Sequence, residues 1–244
     1  AQPASNVVLA ITSGDTGEAT VTSALTFTSG NWNSAQTVTV TGVDDNLVDG
    51  TQTSTITVAV NDGSSDNNFD PVVDQTVSVT TTDNDTAGFT IAQSGGSTSV
   101  SESGTTDTFT VVLNAGPTSD VVLSITSGDT GEATVTSALT FTPANWNSAQ
   151  TVTVTGANDT IIDGTQNSTV TVSIVDASSD DDFDSVPDRT VSVATADDDV
   201  AGFTIAQSGG STSVAETGST DTFTVVLNAQ PASNVVLAIT SGDT

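Results

Sequence analysis

The chain has 244 residues, 30 of them acidic and one, Arg189, basic, with no His, Cys, Met or Tyr, and its formal net charge is −29. Nothing in it could neutralise phosphates, which excludes nucleic acid as a direct partner, and the same charge argues against an anionic membrane surface. No apolar run reaches the length needed to span a bilayer, no membrane insertion is expected, and disulfides are ruled out.

Taken in chain order, the sequence repeats itself. Ile11–Thr28 returns letter for letter as Ile125–Thr142, and Ala87–Val100 as Ala201–Val214, both shifted by 114; Ala1–Thr16 returns as Ala229–Thr244, shifted by 228. Such periodicity marks a tandem array, here of units about 114 residues long, and the chain reads as a window cut from one. Residues 1–86 are the C-terminal part of one repeat, 87–200 a complete repeat, and 201–244 the N-terminal part of a third. An extended structural or adhesive protein is expected rather than a compact enzyme.

Within the complete repeat, alternating Val/Thr-rich runs predict strands at 89–92, 108–113, 121–126, 133–136 with 139–142, 150–155, 169–175 and 190–195. Valine is expected to face inward and threonine outward. About seven short strands with Gly, Asn, Asp and Ser turns describe an all-β, immunoglobulin-like Greek-key sandwich without the Cys pair of antibody domains. Regular alternation also distinguishes the chain from low-complexity disorder.

The acidic residues collect in the turns: Glu102 after the first strand, Asp129 and Glu132 in SGDTGEA, Asn158, Asp159 and Asp163 in GANDTIIDG, and Asp197, Asp198 and Asp199 at the end of the repeat. If these loops converge at one end of a sandwich, carboxylates ~5 Å apart oppose one another by about 1–3 kcal/mol each at intermediate dielectric. Clustered hard oxygens without His or Cys select Ca2+ over Mg2+, which holds its waters. The plainer alternative is that Asp and Asn are simply good turn formers on a solvated acidic surface.

The segments TSVSESGTTDTFTVVL, LTFTPANWNSAQTVTVTGANDTIIDG and TVSVATADDD, in that order, resemble a Calx-beta domain, a family found as tandem repeats in large bacterial surface proteins and adhesins. The resemblance covers the whole repeat. It implies calcium bound at one end of the sandwich, with ligand roles for Glu102, Asp159, Asp163, Asp197, Asp198 and Asp199, and with Asp129 and Asn158 in the same loops. The matching positions are Asp15, Asp44, Asp45, Asp49, Asp83, Asn84 and Asp85 in the first repeat, and Glu216 and Asp243 in the third. Asn158 stands where the first repeat has Asp44, and Asn84 where the complete repeat has Asp198. Fewer charges would weaken affinity or reduce the number of ions, so the two sites are expected to differ.

A second acidic run, Asp176, Asp180, Asp181, Asp182, Asp184 and Asp188, has its counterpart in Asp62, Asp66, Asn67, Asn68, Asp70 and Asp74. It reads either as a solvated loop pinned by Phe69 and Phe183 or as a further Ca2+ site. Trp32 and Trp146, in NWNSAQ, read as cover for a sandwich edge or as a stacking surface for sugar. Without His, Cys, Lys or Tyr, catalysis would rest on Asp, Glu, Ser and Thr alone, and duplication of every loop argues against one specialised cleft. The expected function is therefore a non-catalytic structural extender of an extracellular adhesin or filament at the cell surface, stiffened by Ca2+. Its partners would be neighbouring repeats or other copies in a fibre. A carbohydrate- or protein-binding surface module is the alternative.

Overall fold

A computed structural model describes residues 1–242, in which the chain forms two compact units. The first unit comprises residues 1–88 together with 114–119, and the second comprises 89–113 and the chain from Asp120 onward. The fold is all-β, with helix limited to three-residue 3-10 turns; among the described residues no helix is long and apolar enough to cross a membrane.

In the first unit the strands are β1 (Val7–Ser13), β2 (Ala19–Val21), β3 (Ala24–Phe27), β4 (Val40–Gly42), β5 (Gln52–Val60) and β6 (Gln75–Thr81). They form a sheet in the order β3-β1-β5-β6 and a short pair, β2-β4. Val7, Ile11, Ala19 and Ile56 are its buried apolar residues on strands.

The second unit carries β7 (Phe89–Gln93), β8 (Thr98–Ser101), β9 (Thr106–Leu113), β10 (Val121–Ser127), β11 (Ala133–Val135), β12 (Ala138–Phe141), β13 (Gln150–Gly156), β14 (Gln166–Ile174), β15 (Arg189–Ala196), β16 (Phe203–Gln207) and β17 (Phe223–Leu227). Nine of these form a sandwich of two sheets, β12-β10-β14-β15-β8 and β11-β13-β9-β7, the strand arrangement of the immunoglobulin architecture. The period-2 pattern decides which face is buried. Val152 and Val154 of β13, Val170 and Val172 of β14, and Val191 and Val193 of β15 are all fully or almost fully buried around Phe89, Phe109 and Phe141, while the intervening Thr and Ser are exposed or half-buried.

Three features differ from the sequence expectation. β8 is an additional strand, pairing parallel to β15 through Val193↔Thr98 to Ala196↔Ser101. The segments 133–136 and 139–142 part company: β11 joins β13 in one sheet, and β12 joins β10 in the other. Strand β14 starts at Gln166, because the Gln166↔Thr195 and Asn167↔Ala194 pairs with β15 extend it ahead of its apolar run. Strands β16 and β17 pair as a hairpin, Phe203↔Leu227 to Gln207↔Phe223, in the register that joins β7 to β9.

Candidate metal centre

The site is built where β8 and β15 end side by side. Their parallel register finishes at Ala196↔Ser101, so the next residues, Asp197 and Glu102, are delivered next to each other. The Glu102 amide donates to the Ala196 carbonyl (3.0 Å), fixing that junction. Close packing behind it requires glycine: a Cβ on Gly156 of β13 would lie 2.0 Å from the Ser101 carbonyl oxygen.

Asp197 then organises the loop from β13. Its Oδ2 accepts from the amides of Asp163 (3.1 Å) and Gly164 (2.9 Å), and its Oδ1 accepts from Asp199 (2.8 Å). Gly164 has φ of +74°, a left-handed conformation that suits glycine and turns both amides onto one carboxylate. Asp159 Oδ1 accepts from the Ile161 amide (2.7 Å), closing the same loop at its other end.

Glu102, Asp197 and Asp199 each offer an oxygen within 4.8 Å of the others. Glu102 is 1% exposed, and neither of its carboxylate oxygens has a hydrogen-bond partner among the described residues. The same holds for Glu132 Oε2 and Asp199 Oδ2. Burying a carboxylate without a partner costs several kcal/mol, and uncompensated negative groups crowded together add to it. Burial, followed by the charges of Asp159, Asp197, Glu132 and Asp163, pushes the Glu102 carboxyl above the usual range. Burial and then Asp163, Asp129, Asp159 and Asp197 raise Glu132 likewise; burial and then Asp197, Asp198 and Asp159 raise Asp199. Asp197 is held below the usual range, first by the amides of Gly164 and Asp199. Arg189, the only basic side chain, starts β15 and stacks 5.7 Å from the Phe89 ring centroid. The length of β15 separates it from the cluster by roughly 25 Å. Among the described residues no basic side chain offsets the cluster, and four orphaned oxygens on three side chains fit a hard divalent cation.

The remaining sequence-predicted residues take distinct places. Asp159 is half-buried beside the triad, whereas Asp163, Asp198, Asn158 and Asp129 are exposed. Asp129 Oδ1 accepts from the Gly131 amide (2.9 Å), an Asx turn, and its charge still acts on Glu132. Glu132 lies outside that triad, but its charge acts on Glu102 and its Oε2 is buried without a partner among the described residues, although the resemblance did not include it. Its signal in the sequence is exact repetition, since Glu18 occupies the same turn 114 residues earlier.

The first unit repeats the loop part of this construction, without a counterpart of β8 or Glu102 among its strands. Asp83 Oδ2 accepts from the amides of Asp49 (3.1 Å) and Gly50 (2.9 Å), its Oδ1 from Asp85 (2.7 Å), and Asp45 Oδ1 accepts from Leu47 (2.8 Å). Burial first, then Asp49, Asp15, Asp45 and Asp83, raise Glu18; burial, then Asp83, Asp44, Asp45 and Asp49, raise Asp85. The Asp/Asn exchange proves reciprocal: Asp44 and Asn84 in one copy stand against Asn158 and Asp198 in the other, so the charge of this pair is the same. Asn84 Nδ2 donates to Asp44 Oδ1 (3.1 Å), and Asn158 Nδ2 donates to the Asp159 carbonyl (2.9 Å). The exchange changes hydrogen bonding without changing the charge count. In the third repeat Glu216 is exposed, and Asp243 lies outside the described residues.

The second acidic run is organised differently. Asp66 is buried and accepts from the amides of Ala4 (2.6 Å), Ser5 (3.2 Å) and Asn68 (3.1 Å); its carboxyl is held low, first by the Asn68 amide. Asp180, 4% exposed, accepts from the Asp182 amide (3.2 Å) above the fully buried Phe183. Asp176, Asp181, Asp182, Asp184 and Asp188 are exposed. This loop is stapled by one buried aspartate, and its other carboxylates face solvent. Phe69 is half-buried and, with Trp32, lines an apolar cavity of about 300 Å³ in the first unit.

No protein-family model matches the chain, and no curated protein matches it in sequence. Among solved structures, domains 4 and 5 of the S-layer protein SbsC are 19% identical over 77% of this chain and 70% of that one, with a TM-score of 0.36. Domains 1–6 of the same protein are 18% identical over 91% of this chain and 28% of that one, at a TM-score of 0.37. SSP-19 of Caenorhabditis elegans, an MSP-domain-like protein, is 18% identical over 41% of this chain and 92% of that one, at 0.28. Likenesses at these TM-scores carry no argument about activity or partners.

Proposed function

We propose that the chain is a non-catalytic structural extender of a cell-surface adhesin or extracellular filament. Its tandem β-sandwich repeats, divided at 86/87 and 200/201, each take up Ca2+ at one end. The observation that carries this reading is the set of buried carboxylate oxygens on Glu102, Glu132 and Asp199 without a hydrogen-bond partner among the described residues. Glu102, Glu132, Asp197 and Asp199 would hold the cation, with Asp159 and Asp163 beside them. In the first repeat Glu18, Asp45, Asp49, Asp83 and Asp85 are the corresponding set. The ordered run of acidic turns that resembles Calx-beta repeats supports the same reading, although no family model matches the chain.

The cation would supply charge neutralisation, and the residues of the chain do the rest. Asp197 and Asp83 tie the loops down through backbone amides, which lowers the entropy cost of ordering them around an ion. A ligand that binds only the folded state at a hundredfold excess over its Kd stabilises it by about 2.7 kcal/mol per site. An array of such repeats gains stiffness without chemistry. The binding-module alternative has less support, since Trp146 of the complete sandwich is half-buried with its carbonyl engaged by the Leu113 amide (3.2 Å). Isothermal titration calorimetry of the chelator-stripped chain with Ca2+ tests the proposal: binding heat at both sites is expected, and an Asp197→Ala variant should lose one of them. Absence of heat in the unmodified chain would reject it.

A further inference from the structure

The metal loops carry, between their acidic residues, apolar tips that a cation site does not need: Leu47–Val48 and Ile161–Ile162. In the second unit that tip meets the base of the β16–β17 hairpin. The Gln230 amide donates to the Thr160 carbonyl (2.6 Å), the Ile162 amide points at the Gln230 carbonyl (3.4 Å), and Ile161 and Gln230 form a parallel bridge. Ile162 lines an apolar cavity of about 290 Å³ with Phe203, Leu227, Ala229 and Pro231. In the first unit the same register recurs 114 residues earlier. The Gly116 amide donates to the Asn46 carbonyl (2.6 Å), the Val48 amide donates to the Gly116 carbonyl (2.8 Å), and Val48 is only 9% exposed. Gly116 in one copy stands where Gln230 stands in the other, and the pairing is unchanged. Recognition therefore runs through the backbone and through apolar cover, both indifferent to that side chain.

We infer that the metal loop has a second role within its own compact unit. Its apolar tip is a docking surface for the segment that carries Gln230 in the second unit and Gly116 in the first, and ordering of the loop is transmitted to that segment. The second half of this inference rests on the Ca2+ reading above; the first half does not. The connection is short. Asp159 fixes the Ile161 amide, and Asp197 fixes the Asp163 amide, so the two bonds to Gln230 lie between two carboxylate anchors. A loop pinned at both ends and docked in the middle cannot loosen at one place without loosening at the others.

Residue-resolved hydrogen exchange on the 244-residue chain decides this, with Ile162→Ser, Val48→Ser and the conservative Ile162→Val. Ile162→Ser should lower protection of the Gln230 amide, and Val48→Ser that of Gly116, each by roughly tenfold, through lost apolar cover. The Val172 amide in β14 should be unchanged as a control for folding, and Ile162→Val should stay near the parent. Wild-type protection of Gln230 in Ile162→Ser would overturn the docking surface. Ca2+ should raise protection of Gln230 in the parent and not in Ile162→Ser. Ca2+ uptake seen by calorimetry with no change at Gln230 would overturn the transmission. If calorimetry finds no uptake, the Ca2+ reading falls and the transmission with it, while the serine variants still decide the docking surface.

Discussion

Glu102 concentrates the chemistry of this molecule in one side chain. It is buried, unpartnered among the described residues and surrounded by other carboxylates, so its charge is destabilising on its own, and the Ca2+ proposal gives it a use. Glu102→Gln should therefore act with opposite signs. In chelator it should raise the melting temperature by several degrees, and in millimolar Ca2+ it should lower it relative to the parent; differential scanning calorimetry reads both. The pH dependence follows the same logic. Glu102, Glu132 and Asp199 have folded-state pKa values above their unfolded ones, so the fold binds more protons than the unfolded chain between those values. Their contribution to metal-free stability is fully present below the ordinary carboxylate pKa and is lost as pH rises from there through the elevated values. Asp66 and Asp197 run the other way: their stabilisation is present above the ordinary aspartate pKa and is lost as pH falls through the depressed one. In Ca2+ the acid side should dominate, because protonation of the ligands expels the metal. In the other acidic loop, Asp180→Ala should destabilise the fold by about 1–3 kcal/mol through loss of a buried acceptor, and Asp181→Ala should be near neutral. Urea denaturation separates the two.

At the level of elements, the site depends on a strand that the sequence conceals. β8 has four residues, Thr98–Ser101, two of them serines, and its partner β15 lies more than ninety residues away in the chain. Short parallel pairing of this kind leaves almost no local signal, whereas the long Val/Thr alternations of β9, β13 and β14 declare themselves. The separation of β11 from β12 was equally hidden, since two residues between them carry the chain from one sheet to the other. Most of the acidic cluster was legible because turn-borne carboxylates recur at the repeat spacing. Glu132 was legible as one of those turn acids, but not as distinct from the exposed Asp129 beside it, because the burial of its Oε2 arises only from the packed fold. Gly156 also had no signature: its necessity arises only from the 2.0 Å approach to Ser101. Gly156→Ala should cost about 3 kcal/mol or more by forcing β8 away from β13, and should weaken Ca2+ binding along with stability. Equilibrium unfolding in chelator and in Ca2+ measures both effects.

On the scale of the whole molecule, the near absence of basic residues turns a local puzzle into a general one. A chain with net charge −29 gains little from its own ion pairs, so self-repulsion must be offset from outside. Repeating the same loops every 114 residues repeats their acidic turns, and the reciprocal Asp/Asn exchange keeps the charge of that one pair equal. The most direct measurement is the melting temperature of the chelator-stripped 244-residue chain against Ca2+ concentration at fixed ionic strength, with Mg2+ as the control ion. The account predicts a rise of many degrees in Ca2+ that saturates at millimolar concentration, and a much smaller one in Mg2+. An equal response to both ions, or none to either, would contradict it.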